Sequence, residues 1–251
     1  MQHRKLSDER GFTLPELLIA LVIALIVSFA TFSLVEVAMR KAGETEARVK
    51  AAQQGRMAMD TLVRQLRSQV CLNTPTPTPP MSPPAGFGTV TRGDTAVFYT
   101  DFTDAGKPTT VAPELHVLTY DAATRRLIER DYTGTIAPVT GGYQYTYPSA
   151  ASTPAKTKTL AENVIPLTGV PVFAYYAYNN AAAPPRPDLS LAAPASGMVA
   201  ADTALVARIV VNFRALTTSN VNNLTGSSVF QDEVTVRAAD PNDEAPTPTC
   251  A

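Results

Sequence analysis

A chain of 251 residues with 45% apolar side chains can supply one packed head of ordinary size plus an anchor, or at most two small domains. Its formal net charge of −1, from 21 Lys and Arg against 22 Asp and Glu, shows no basic excess to advertise nucleic acid as a partner. So few cysteines and histidines, two of each, argue against a zinc site or a redox dithiol motif.

Residues 1–11 are polar, with Arg4, Lys5 and Arg10 set against Asp8 and Glu9. Arg10-Gly11-Phe12-Thr13-Leu14-Pro15-Glu16 then runs straight into residues 17–35, a stretch of 19 residues without a charge. At 1.5 Å per residue a helix of that length spans roughly 28 Å, close to a bilayer core. Its apolar side chains fall all round the helix, which suits lipid or a fully enclosing protein environment. Three Lys or Arg precede the stretch and four (Arg40, Lys41, Arg48, Lys50) follow it, so flanking charge leaves the orientation open. Thr13-Leu14-Pro15-Glu16 also fits a helix start. Thr13 serves as N-cap, Glu16 completes a capping box, and Pro15 sits in the first turn, where a missing N–H costs little. A plain signal anchor and a signal peptide cut after Ser28-Phe29-Ala30 are alternative readings of the same region.

Beyond residue 35 the helical pattern continues. No proline occurs between Glu16 and Thr74, and the only glycines are Gly43 and Gly55. Ala58, Met59, Leu62, Val63, Leu66 and Val70 recur at steps of three and four, with Arg56, Asp60, Arg64 and Arg67 on the other side. One helix is expected over 14–71, roughly 85 Å at the same rise. Residues 12–35 form its transmembrane half and 36–71 its amphipathic half.

Gly11-Phe12-Thr13-Leu14-Pro15-Glu16-Leu17-Leu18 resembles the type IV prepilin signature: a basic leader ending in Gly, then Phe, an acid at the fifth mature residue and a hydrophobic helix. The resemblance implies that a membrane aspartyl peptidase cuts between Gly11 and Phe12 and methylates the new N-terminus on Phe12. It also implies that Glu16 pairs with the terminal amine of a neighbouring subunit and sets helix register. The chemistry agrees. Gly11 lets an extended leader thread a cleft. A carboxylate at membrane depth, unfavourable by up to roughly 3 kcal/mol, gains from an opposite charge. Major subunits of this family usually carry a Pro within the membrane segment, and residues 17–35 have none, which favours a minor subunit.

The head is taken in order from residue 72. Prolines crowd residues 73–84, so 72–88 is expected to be an extended linker. From residue 89 to 238 the texture is β-rich. Strands are expected over 94–102, over 115–120 and 126–132 as a hairpin, over 170–178, 205–216 and 229–238. Residues 179–201 look like loop, and 239–251 form a tail. Few helical patterns interrupt this run, which suggests an antiparallel sheet covering the helix stripe. The expected fold is therefore α+β and type IV pilin-like: a long N-terminal helix on an antiparallel β-sheet head. The order of helix end, hairpin, Thr159-Leu160-Ala161-Glu162-Asn163-Val164, aromatic strand and two closing strands resembles W-type minor pilins and J-type minor pseudopilins.

The remaining candidates each have a bland reading. The family's heads lie outside the cytoplasm, where disulfides persist, so Cys71 and Cys250 are a possible bridge, two free thiols being the alternative. Asp240, Asp243 and Glu244 look like a solvated tail without a calcium loop. Asn223-Leu224-Thr225 is a glycosylation sequon by pattern only. Tyr143, Tyr145 and Tyr147 alternate as on one strand face, but residues 141–154 contain no Lys or Arg to accompany base stacking. His116 lies mid-strand with no motif that supports a catalytic role for it. No catalytic residue, metal ligand or cofactor is expected. The expected partners are the prepilin peptidase, other pilin or pseudopilin subunits through the N-terminal helix, and the membrane. The expected location is the cytoplasmic membrane as a single-pass protein, then the extracytoplasmic filament. A tip-displayed module for adhesion or DNA uptake, and a type II secretion pseudopilin, are the alternatives.

Overall fold

The computed structural model describes residues 13–76, 78–101, 112–182, 186–218, 220, 222 and 224–236. The chain divides into two compact units, 1–47 and 48–251, and helix α1 (Leu14–Arg67) runs from the first into the second.

In the first unit α1 starts directly after Thr13. The Leu17 N–H donates to the Thr13 carbonyl at 3.1 Å, and Thr13 Oγ1 donates to Glu16 Oε2 at 3.4 Å. Thr13 and Glu16 thus face each other across the first turn through their side chains, a contact different from the side-chain-to-backbone pair of a capping box. All residues from 13 to 46 are exposed. The hydroxyl of Thr31, inside the apolar stretch, donates to the carbonyls of Val27 and Ser28 at 3.0 and 2.9 Å. A polar side chain there is satisfied by its own helix, which an apolar solvent demands.

In the second unit the same helix changes character. Ala51, Gly55, Ala58, Met59, Leu62, Val63 and Leu66 turn into the core, at the three- and four-residue steps of one helix face. The helix ends at Arg67, four residues before the expected Cys71. Ser68 N–H closes the last turn onto the carbonyls of Arg64 and Gln65. The next residues then find sheet partners: Gln69 bridges Thr100, and Val70 N–H donates to Tyr99 O at 3.0 Å. Backbone groups that a further turn would have satisfied internally are satisfied by the neighbouring strand instead.

That strand is β1 (Thr95–Thr100). It pairs antiparallel with β2 (Glu114–Asp121), β2 with β3 (Arg126–Tyr132), and β3 with β6 (Lys156–Ala161). The β2–β3 hairpin falls where the sequence places it. Asp121 Oδ1 accepts the Ala123 N–H at 2.9 Å, its Oδ2 accepts the Thr124 hydroxyl at 2.6 Å, and Arg125 closes the turn at φ 54°. A small ribbon, β4 (Thr135–Val139) with β5 (Gly142–Thr146), stands between β3 and β6 in the chain.

A second antiparallel sheet has the order β11 (Ser228–Thr235), β10 (Arg208–Ala215), β8 (Phe173–Asn179) and β9 (Arg186–Leu191), with the short β7 (Val164–Ile165) also on β10. One α+β core joins the buried stripe of α1 to the inner faces of both sheets: Leu62 and Leu66 share one buried cluster with Phe98, Leu118 and Leu127 of the first and Phe173, Ile209 and Phe213 of the second.

Three features depart from the sequence reading. The head has two main sheets. Strand β9 forms inside the region expected as loop, as an exposed edge with Pro187 in it, held by pairing to β8. Within residues 72–88, Leu72, Met81 and Phe87 are buried, and Leu72 and Phe87 join Val97, Tyr99, Leu115 and Tyr132 in a second apolar cluster on the outer face of the first sheet. Proline there sets an extended backbone, but apolar side chains between the prolines hold it to the head.

Candidate functional site

Two places stand out chemically among the described residues: the N-terminal motif and a buried polar cluster beneath the end of α1.

Of the motif, Gly11 and Phe12 lie outside the described residues; Thr13, Pro15 and Glu16 are described and exposed. Glu16 stands in the first helical turn, where a carboxylate complements the helix dipole. The helix behind it presents Leu17, Leu18, Ile19, Leu21, Val22 and Ile23, each at least half exposed. Among the described residues this helix alone is long and apolar enough to cross a membrane. Its surface is one that lipid or like helices would cover, and that water disfavours.

Cys71 is half-buried just past the end of α1 and carries no free thiol. Cys250 lies outside the described residues, as do Asn223 of the sequon and Asp240, Asp243 and Glu244 of the tail.

The tyrosines do packing work. Tyr99 and Tyr175 are almost wholly buried. Tyr175 donates to the carbonyls of Arg92 and Thr95, each at 3.1 Å, and Tyr147 to that of Pro113 at 2.8 Å. Burial raises the Tyr99, Tyr147 and Tyr175 hydroxyls well above the usual phenol range.

The buried cluster is absent from the sequence reading. His116 on β2 lies directly opposite Asp131 on β3, with Glu129 two residues along on the same face. His116 Nδ1 is 2.9 Å from Asp131 Oδ1 and 3.0 Å from Glu129 Oε1, and all three residues are buried. Gln65, from the last turns of α1, brings its Nε2 onto Glu129 Oε1. The Phe98 ring stacks on the imidazole at 5.8 Å between centroids and 15° between planes. On the other ring nitrogen, His116 Nε2 is 3.5 Å from Glu114 Oε2. Burial by itself would lower the basicity of His116; the bonds and charges of Asp131 and Glu129 outweigh it and raise the imidazole to about 9. Glu129 and Asp131 are distant in sequence but one strand away in space, whereas Glu114 lies two residues from His116 along the chain. Counting back five residues from Asp121 and forward five from Arg126, the pair that closes the hairpin, lands on His116 and Asp131.

Fold and site together define a class: a single exposed apolar helix with an acid in its first turn, continuing into a β head. Residues 6–32 match the family described as Prokaryotic N-terminal methylation motif. No curated protein and no solved structure matches the chain. The motif supports a type IV prepilin-like protein, processed by a prepilin peptidase, anchored in a membrane and then associated with a filament of other pilins. Pilin-like chains of that family are structural, not enzymatic.

Proposed function

We propose that this chain is a minor subunit of a type IV pilus or a related filament. The peptidase cuts between Gly11 and Phe12 and methylates Phe12; the chain is its substrate and does no chemistry of its own. Residues 12–35 hold the subunit in the cytoplasmic membrane until α1 packs among the helices of other subunits, with Glu16 pairing to a neighbour's N-terminal amine. The observation that carries this reading is the continuity of α1. Its first part follows the Gly-Phe-Thr-Leu-Pro-Glu motif and is exposed throughout, while its second part is built into the head. The absence of proline from residues 17–35 supports a minor subunit over a major one, at or near the filament tip, and the strand order supports a W-type pilin or J-type pseudopilin. A bridge from Cys71 to Cys250 would tie the tail to the end of α1 and contribute about 5 kcal/mol by constraining the unfolded chain.

Intact mass and N-terminal sequencing of the protein extracted from membranes test the processing. Methyl-Phe12 at the terminus is expected; Met1 or Thr31 there would sink the proposal. Digestion of the same sample without reductant is expected to release one peptide pair joined through Cys71 and Cys250. Two separate alkylated thiols would exclude the bridge.

A further inference from the structure

We infer that His116, Glu129 and Asp131 form a structural site for one divalent transition-metal cation of the zinc or manganese type, seated between the first sheet and the last turns of α1. The strand register brings one imidazole nitrogen and two carboxylate oxygens to a common point, with ligand atoms 2.9 and 3.0 Å apart. Zinc–nitrogen and zinc–oxygen bonds of about 2.0–2.2 Å place ligand atoms a few tenths of an ångström further apart than this, within reach of small side-chain rotations.

Four observations favour a cation there. The first is charge. Among the described residues no Lys or Arg forms an ion pair with Glu129 or Asp131, and both are buried. A protonated imidazole with two carboxylates leaves one uncompensated negative charge in the core, which is costly. A dication with a neutral imidazole and the same carboxylates leaves none. The second is His116 itself. Its Nδ1 is the nitrogen that faces both acids, so a cation that displaces the Nδ1 proton meets all three ligand atoms already gathered, while Nε2 lies 3.5 Å from Glu114 Oε2. The third is the Phe98 ring, which holds the imidazole plane from one side. The fourth is Gln65. It is nine-tenths buried and touches Glu129 through Nε2, while its Oε1 has no hydrogen-bond partner. The two ends of an amide exchange by rotation about one bond, which turns the carbonyl oxygen toward the cation as a fourth ligand.

A nitrogen ligand and so few oxygens disfavour calcium and magnesium, which take oxygen shells of six or more. The three ligands and Gln65 are buried, so the site's role is to clamp Gln65 of α1 to β2 and β3.

The test uses the full chain, untagged by histidine, purified in detergent. After dialysis against metal-free buffer, elemental analysis is expected to find about one equivalent of zinc or manganese per chain. Chelation by EDTA is expected to lower the melting temperature by several degrees, and the released metal to restore it. Glu129→Gln with Asp131→Asn preserves side-chain shape, and this variant is expected to lose both the metal and the response to EDTA while keeping its far-UV dichroism. Should that variant not fold, Glu129→Gln alone is expected to bind the metal at least tenfold more weakly. Less than a tenth of an equivalent of any transition metal in the wild-type chain, with a melting temperature indifferent to EDTA and to added zinc and manganese, would overturn the site. So would wild-type metal content in the variants.

Discussion

Glu16 and Gly55 sit on the same helix under opposite constraints. Glu16 is exposed in the first turn, and no side chain of the described residues beyond Thr13 holds it. Its replacement therefore leaves the fold alone and removes only what a neighbouring subunit would use. Glu16→Ala is expected to be cut and methylated normally but to fail to enter filaments, seen as processed protein in the membrane fraction and little in sheared filaments. Wild-type incorporation would defeat the register role. Gly55 is constrained by space. A Cβ built there runs into the ring of Phe230, and that ring cannot easily withdraw because it stacks on the buried Phe213 at 5.4 Å. In an open helix Gly55→Ala would gain about 1 kcal/mol of helix propensity. Here overpacking, typically about 1–3 kcal/mol, wins. The variant is expected to unfold at lower urea than wild type, and adding Phe230→Leu to recover most of the loss. An unchanged midpoint would show that the ring gives way freely. Nothing in the sequence marks this glycine, because its partner lies 175 residues away; a Gly amid helix formers reads only as a weak point.

At the scale of the element, α1 is two structures sharing one hydrogen-bond ladder. Leu62 and Leu66 have no exposed surface, whereas Leu21 is half exposed. Leu62→Ala leaves a cavity in the core cluster that holds Phe98 and Phe213 and is expected to cost the head about 2–5 kcal/mol. Leu21→Ala is expected to leave the urea midpoint of the detergent-extracted protein within about 0.5 kcal/mol of wild type. Equal losses from both would mean that the first part of the helix is also packed in the monomer. This division was legible in the sequence, since an all-round apolar stretch followed by a one-sided stripe says which residues want lipid and which want a sheet. The helix end was not legible. Residues 68–71 are compatible with another turn, and what stops it is Thr100 and Tyr99 offering backbone partners from a strand thirty residues on. The His116 cluster stands between these cases. The hairpin was visible, and with its closing pair known the register puts Asp131 opposite His116. What the sequence does not mark is the pair Glu129 and Asp131, because strand neighbours are remote along the chain.

For the molecule as a whole, what escaped sequence reasoning is what pairing alone decides. Strand β6 begins Lys-Thr-Lys-Thr and β9 is Arg-Pro-Asp-Leu-Ser-Leu. Both are polar edges whose sequences carry no core pattern, and edges of that kind are protected from unwanted pairing by those same charges and prolines. The aromatic strands were legible, since burying a tyrosine needs both an apolar wall and a carbonyl for its hydroxyl, and β1 and β8 supply them. That burial gives the head a definite alkaline limit. Tyr99, Tyr147 and Tyr175 all have hydroxyls raised by loss of water, so in the folded head they stay neutral where an unfolded chain's phenols, near pH 10, already ionise. Below pH 10 both states are neutral and the full stability is present. Above it the unfolded chain releases protons first, and stability falls by about 1.4 kcal/mol per pH unit for each such phenol, until the folded hydroxyls themselves titrate. Three together make a slope of about 4 kcal/mol per unit, steep enough to consume a typical margin of 5–15 kcal/mol within a few units. Urea midpoints measured from pH 8 to 11 are expected to be flat to about pH 9.5 and then to fall sharply. Tyr147→Phe removes one of the three phenols and is expected to lessen the slope above pH 10 by about a third, at the cost of its bond to Pro113. A midpoint that stays level to pH 11 would mean that these rings reach water and are packed less tightly than their burial implies.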